Sequence, residues 1–98
     1  MAIKTFKDKA TEDINYGRVS KSALRKLPVD LHKKAQICLA KLGASTSLND
    51  LKTIRGNRFE ALRGDRKGQY SIRVNDQYRV CFQWEDHDAL EVEIVDYH

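Results

Sequence analysis

The segment Asp96-Tyr97-His98 carries three side chains that can take part in proton transfer. An imidazole has an ordinary pKa of about 6.5, so His98 can act as acid or base near pH 7. Tyr97 can donate a proton from its neutral phenol, and it can act as a base only where neighbouring cations lower its pKa. They follow the apolar, alternating run Val92-Glu93-Ile94-Val95, which predicts a buried strand. We expect this strand to deliver them to one end of a sheet. An aromatic cap on the strand is the competing interpretation.

Positive charge is concentrated in the middle of the chain. The 98 residues carry a net charge of +4. Residues 52–79 contain eight Lys or Arg and three Asp or Glu, whereas residues 80–98 contain six acidic residues and no Lys or Arg. A dense basic segment favours a polyanionic partner such as RNA. A solvated basic surface is the alternative.

Two arginines are expected to face each other across a hairpin. Asn75-Asp76-Gln77 predicts a turn between two alternating strands, and pairing across it places Arg73 directly opposite Arg79 on the face away from the core. Like charges in such positions are destabilising, so we expect an anion between them. That anion is either a phosphate or, in an internal ion-pair ladder, the carboxylates of Glu91 and Glu93.

A glycine-flanked basic loop precedes this hairpin. The sequence Gly64-Asp65-Arg66-Lys67-Gly68 brings Arg66 and Lys67 close to Arg63, where they can contact a phosphate backbone. The loop matches neither a P-loop nor a dinucleotide-binding motif. Glu60 lies on the strand before it, and two roles stay open for this carboxylate: a general base, or the ion-pair partner of an arginine.

These residue types fit RNA cleavage without a cofactor. A base takes the proton of the 2′-hydroxyl, cations stabilise the charged phosphorane, and an acid protonates the leaving 5′-oxygen. The base and the acid each contribute about 10²–10⁴ in rate, and preorganised positive charge contributes a comparable share. No His or Cys spacing suggests zinc, so we expect neither a metal nor another cofactor. Cys38 and Cys81 are expected to be buried thiols.

The pattern along the chain predicts one α+β domain, residues 1–98, with helices packed on one face of a twisted, mainly antiparallel sheet. Ala2–Phe6 predicts a short N-terminal edge strand, and residues 18–27 are basic, with their order left open by the sequence. The charged N-terminal sequence and the absence of a long apolar run predict a cytoplasmic protein that does not associate with a membrane.

The strongest helix is predicted to begin near Pro28 and to end at Gly43. Its apolar positions recur at helical spacing: Leu31, Ala35, Cys38, Leu39 and Leu42. His32 is expected to face solvent. The segment 44–50 is expected to be a loop, and Arg58 to Arg63 one strand.

Three segments resemble HigB-type killer toxins of the RelE/ParE superfamily: Gly56 to Asp65, Gly68 to Arg79, and Val95 to His98. The resemblance is dense from about residue 55 onward, and residues 1–50 match in outline. It implies a RelE-like fold and a small toxin held inactive by a co-encoded helix-turn-helix antitoxin. Such toxins, once released, enter the A site of the 30S ribosomal subunit, beside the rRNA, and cleave mRNA without a metal.

The resemblance also implies catalytic roles for individual residues: Arg63, Arg79, Asp96, Tyr97 and His98. Glu60 departs from the family pattern and joins this predicted catalytic set as a possible base. The RNA-binding set is predicted from the basic segment itself, and it consists of Arg58, Arg66, Lys67 and Arg73. Many relatives have His where this chain has Glu60, and Lys where it has Arg63. An ionised carboxylate accepts a proton but cannot donate one, so the base stays open among Glu60, Tyr97 and His98.

A non-catalytic function on the same fold is the alternative. ParE-like relatives bind a protein target such as DNA gyrase. They generally lack the terminal acid and base, and the presence of Tyr97 and His98 here therefore favours the ribosome-dependent endoribonuclease.

Overall fold

The computed structural model describes residues 2–96, and Met1, Tyr97 and His98 lie outside the described residues. Helices come first in the chain and strands follow, as the sequence predicted. The helices are α1 (Lys9–Asn15), α2 (Lys21–Lys26), α3 (His32–Ala44) and α4 (Leu48–Lys52). The strands are β1 (Glu60–Ala61), β2 (Gln69–Arg73), β3 (Tyr78–Glu85) and β4 (Asp88–Asp96).

The four strands form one antiparallel sheet in the order β1-β2-β3-β4. The strand predicted over Arg58 to Arg63 is shorter than expected, because only Glu60–Ala61 pairs with β2. The N-terminal segment runs parallel to β4 at the opposite edge. It pairs through isolated bridges at Ile3 and Phe6, so the predicted edge strand is present only as two points of pairing.

The core lies between α3 and one face of this sheet. The apolar side of α3 buries Ala35, Cys38, Leu39 and Leu42, and the sheet contributes Ile72, Val80, Phe82, Val92 and Ile94. These side chains are almost fully removed from water. Burying one such aliphatic or aromatic side chain is worth about 1.5–3 kcal/mol, so this contact fixes the sheet against the helical layer. The α+β prediction is confirmed.

Two short helices were not predicted from the sequence. Residues 18–27, whose order the sequence left open, include helix α2, and its first turn is capped by the Ser20 hydroxyl, which accepts from the backbone N–H of Ala23 at 3.0 Å. Helix α4 occupies part of the predicted loop because Ser47 and Asp50 form a capping box. Both starts follow a serine, which is the residue type that most often caps a helix.

The central helix differs from its prediction at both ends. It continues through Gly43 to Ala44, and a short 3₁₀ turn, Val29–Leu31, separates its start from Pro28. His32 is buried rather than solvent-facing, and its Nε2 lies 2.8 Å from the carbonyl oxygen of Leu27. Its spacing of three residues from Ala35 puts it on the buried stripe.

Within residues 2–96, no helix has both the length and the apolar composition that a membrane span requires.

Candidate active site

Arg73 and Arg79 stand directly opposite each other on β2 and β3, which confirms the predicted hairpin register. Arg73 donates a 2.5 Å hydrogen bond to Asp76, whose side chain is 99% exposed in the turn. This hydrogen bond, together with the charge of Arg73, holds the pKa of Asp76 below its ordinary value of 3.8. Because Asp76 is so exposed, water screens its carboxylate and the ion pair is weak. Another anion can therefore replace Asp76 at Arg73 with a small loss of free energy.

Arg79 is held in a defined orientation. Its Nε donates to the Ser71 hydroxyl at 2.8 Å, and its Nη2 donates to the backbone carbonyls of Arg58 and Ser71, the latter at 3.4 Å. Arg58 presents its carbonyl from a left-handed conformation, with φ of 44° and ψ of 52°. Asn57, fully buried beside it, donates to the carbonyl oxygen of Leu51 at 3.2 Å and fixes this turn.

Three arginines line one open cavity of about 260 Å³. Its lining residues are Arg58, Arg73, Asn75, Asp76 and Arg79. A guanidinium presents donors in a planar fork that matches the geometry of a phosphate, and it stays charged at any physiological pH. This cavity therefore has the charge and the donor geometry to bind a phosphodiester.

A second cavity, of about 280 Å³, lies along the β1 edge of the sheet and is lined by Glu60, Ala61, Leu62 and Arg63. Glu60 pairs in register with Ser71, whose hydroxyl contacts Arg79. Glu60 of β1 is therefore the backbone neighbour of the β2 residue that binds the Arg79 guanidinium. Glu60 and Arg63 are both exposed, so both are accessible to a ligand.

The carboxylates differ from those expected in the alternative of an internal ion-pair ladder. Glu93 accepts from Arg66 at 2.8 Å and from Lys7 at 3.5 Å, rather than lying between Arg73 and Arg79. Gln69 also accepts from Arg66, at 3.1 Å. The acidic side chain beside Arg73 is that of Asp76 in the turn, so both alternatives, a carboxylate of the protein and a phosphate, stay open for the arginine pair. The charge of Arg66 is already partly offset by Glu93.

Asp96 ends β4 beside the hairpin turn. It pairs in register with Tyr78, and its carboxylate accepts a 3.1 Å hydrogen bond from Gln77. Arg79 is the neighbour of Tyr78 in β3, so the described part of β4 ends close to the arginine pair. Tyr97 and His98, predicted as acid and base, lie outside the described residues.

Both cysteines are buried, as predicted. Burial raises the pKa of Cys38 to about 12 and also raises the pKa of Cys81, so both thiols are protonated at neutral pH. Cys81 pairs with Ser71 on one side and with Glu93 on the other. In residues 2–96, no three side chains of His, Cys, Asp or Glu gather as metal ligands.

Two functional contacts were not predicted from the sequence. Ser71 contacts Arg79, and the backbone of Arg58 does so as well. Alternation along Tyr70-Ser71-Ile72-Arg73 places Ser71 on the same face as Arg73, away from the core, so the pattern gave no sign that this hydroxyl would be buried. Arg58 contacts Arg79 through its backbone carbonyl, and the type of a side chain does not indicate where its backbone carbonyl points.

The fold and this site together define a class of protein. The YoeB-YefM complex from Staphylococcus aureus contains a chain that aligns over 100% of this chain and 99% of its own length, with a TM-score of 0.60 and 19% identity. The YoeB/ParE toxin from Agrobacterium tumefaciens aligns over 98% and 100%, with a TM-score of 0.53 and 12% identity. The chain therefore has the fold of RelE-like toxins.

The family follows from the sequence comparison. The model of the HigB-like toxin family, described as the RelE-like toxin of the type II toxin-antitoxin system HigB, matches residues 4–98. The chain belongs to this family, and the resemblance inferred from its motifs is confirmed.

Two curated proteins are similar to this chain, and the first is a HigB toxin. Toxin HigB-1 of Vibrio cholerae serotype O1 is 55% identical over 49 residues, which are 50% of this chain and 52% of the relative. An uncharacterised protein of Haemophilus influenzae is 36% identical over 64 residues, covering 65% of this chain and 63% of that protein. The chain thus spans about half the length of the first relative and under two thirds of the second.

Proposed function

We propose that this chain is a ribosome-dependent endoribonuclease that cleaves mRNA in the A site of the 30S subunit and so inhibits translation. The observation that carries the proposal is the register of Arg73 against Arg79 at an open cavity that Arg58 also lines. Two cations that face each other across a strand pair destabilise the sheet unless an anion offsets their repulsion. We propose that a scissile phosphodiester displaces the exposed Asp76 carboxylate from Arg73 and binds beside Arg79.

The proposed reaction is an attack of the 2′-oxygen on the adjacent phosphorus. A base removes the 2′-proton, the new P–O bond forms, and the bond to the 5′-oxygen breaks as an acid supplies its proton. The products are a 2′,3′-cyclic phosphate and a 5′-hydroxyl. Arg73 and Arg79 stabilise the extra negative charge on the pentavalent phosphorane, a contribution that commonly reaches about 10²–10³ per donor.

The proton transfers are proposed for three residues. Glu60 is exposed at the β1 edge and can accept the 2′-proton, while Tyr97 or His98 protonates the 5′-oxygen. In the second assignment, Tyr97 and His98 carry both transfers and Glu60 orients an arginine. Arg63 and Asp96 complete the proposed catalytic set.

RNA outside the scissile phosphate is proposed to follow the basic residues around the site. These are Arg58, Arg66, Lys67 and Arg73. Arg58 and Arg73 line the cavity itself, and Lys67 is exposed at the end of the Gly64–Arg66 turn. Arg66 is shared with Glu93, so we expect it to contribute less than Arg73.

The partners follow from the same proposal. A ribosomal substrate requires the protein to act in the cytoplasm, among mRNA and rRNA. Membership of a type II toxin family, and the YoeB-YefM complex of the S. aureus fold neighbour, support a cognate antitoxin that holds the chain inactive. We propose that this antitoxin is a helix-turn-helix protein encoded with the toxin.

Primer extension on mRNA, with and without purified ribosomes, tests the function. We expect new 5′ ends inside the reading frame only when ribosomes and the wild-type chain are both present. Arg25→Gln should cleave as the wild type does, because Arg25 is an exposed arginine on α2 outside the proposed site. Intact mRNA in all reactions, combined with inhibition of DNA gyrase, would instead establish the ParE-like alternative.

A further inference from the structure

We infer that Ser71 is a positioning residue that fixes the guanidinium of Arg79 for phosphate binding, an inference that rests on the proposed endoribonuclease function. Ser71 is fully buried in the middle of β2, and its hydroxyl is 2.8 Å from the Arg79 Nε. A buried hydroxyl without a partner is costly, so a serine at this position is suited to a specific contact rather than to packing.

The contact set determines the orientation of the whole guanidinium. One edge of its planar fork, formed by Nε and Nη2, faces three protein oxygens: the Ser71 hydroxyl, the Ser71 carbonyl and the Arg58 carbonyl. Since the group is planar, fixing this edge also fixes the direction of its Nη1 donors. Backbone carbonyls cannot be removed by substitution, and the Ser71 hydroxyl is therefore the part of this cradle that a single variant can test.

The sheet explains why position 71 can do this. Ser71 pairs with Cys81 on β3 and with Glu60 on β1, so it lies in the row that crosses the sheet from the cavity beside Glu60. Arg79 is two residues from Cys81 on the same face of β3. The Ser71 hydroxyl consequently lies beneath Arg79 and holds its side chain over the sheet.

The first test measures the contact without RNA. The Nε–H signal of Arg79 is identified by nuclear magnetic resonance through its loss in Arg79→Lys, and its exchange with water is compared in wild type, Ser71→Ala and Ser71→Thr. We expect exchange about 10- to 100-fold faster in Ser71→Ala, because a hydrogen bond to a charged group is lost. Thr keeps a hydroxyl and should retain most of the protection. Equal exchange in wild type and Ser71→Ala would overturn the inference.

The second test is a double-mutant cycle on mRNA cleavage. Misplacement of a catalytic group by about 1 Å can cost 10²-fold, so Ser71→Ala should lower the cleavage rate roughly 10- to 100-fold. It should change the rate less than about 2-fold when Arg79 is already Ala, because coupled residues are not additive. Ser22→Ala, an exposed serine in α2, is the matched control.

The two tests separate the inference from the function on which it rests. An equal loss from Ser71→Ala in both backgrounds would show a general structural effect and overturn the positioning role. If the wild-type chain cleaves no mRNA, the proposed function fails, and the exchange measurement still decides whether Ser71 holds Arg79. If Ser71→Ala does not fold, the cleavage rate is measured with Ser71→Thr instead. A rate within about 5-fold of wild type supports the role of the hydroxyl, and a loss as large as that of Arg79→Ala opposes it.

Discussion

Replacing Arg73 with Gln separates the role of this arginine in folding from its role in binding. Two energies change in opposite directions. Loss of the facing charge relieves repulsion with Arg79, worth about 0.2–1 kcal/mol. Loss of the ion pair with Asp76 removes about 0–1 kcal/mol, at the low end because that carboxylate is 99% exposed. We expect the free energy of unfolding to change by less than about 0.5 kcal/mol.

RNA binding should respond differently. Each phosphate neutralised by a cation adds about −0.7 to the slope of log K against log[salt] for single strands. Removing Arg73 should therefore make this slope shallower by about 0.7. Between 50 and 200 mM salt, the affinity of wild type should fall by roughly 2.6-fold more than that of the variant, since the salt changes by about fourfold.

The assay is fluorescence anisotropy with a single-stranded RNA across that salt range, accompanied by urea denaturation. Arg25→Gln provides the same chemical change on an exposed helix and should leave the slope unchanged. An identical slope in wild type and Arg73→Gln would refute the reasoning, because it would mean that Arg73 contacts no phosphate. A loss of stability well above about 1 kcal/mol would show that Arg73 serves the fold instead.

Three further predictions follow from the described contacts and the proposed chemistry. Tyr97→Ala combined with His98→Ala should abolish growth inhibition while antitoxin binding persists; full toxicity of the double variant would disprove catalysis there. Glu93→Gln should lower the free energy of unfolding by about 1–2 kcal/mol in urea, because two basic partners lose a largely buried carboxylate, whereas the exposed Glu91→Gln should not. Asp13 has a pKa lowered by hydrogen bonds, first from Ser20, so its stabilisation is present at neutral pH and is lost as pH falls through its folded pKa. In Asp13→Asn, the melting temperature should fall less steeply than in wild type as the pH is lowered below about 5, and an equal fall in both would contradict this.

The arginine pair was predictable because strand pairing has a period of two. Once Asn75–Gln77 is assigned to a turn, the register of Arg73 and Arg79 follows from geometry alone. The central helix was found for a similar reason, since its buried residues recur at helical spacing. Periodic patterns thus gave the elements that carry most of the buried apolar surface.

Other features depend on contacts that a pattern does not contain. Arg66 pairs with Glu93, which is 27 positions away in sequence, and no local pattern indicates this contact. The burial of His32 depends on the Leu27 carbonyl, which a short 3₁₀ turn brings within reach. Ser47 and Asp50 have the sequence pattern of a capping box at the start of helix α4, but the five residues of this helix are too few to show a periodic apolar face.

The oxygens that bind Arg79, from Ser71 and Arg58, depend partly on strand register and partly on tertiary contacts. The register of β2 and β3 places Ser71 two residues from Arg73 on the face that carries Arg79. The Arg58 carbonyl was not predictable, because a left-handed conformation at a non-glycine residue depends on tertiary contacts. One of these contacts is the buried side chain of Asn57.

The central claim is that an oriented guanidinium, and not positive charge alone, stabilises the reacting phosphate. Single-turnover cleavage of ribosome-bound mRNA by wild type and by Arg79→Lys tests this directly, because Lys keeps the charge but cannot form the contacts of Nε and Nη2 with Ser71 and Arg58. We predict a loss of about 10²-fold or more in Arg79→Lys. Cleavage by Arg79→Lys at the wild-type rate would contradict the claim.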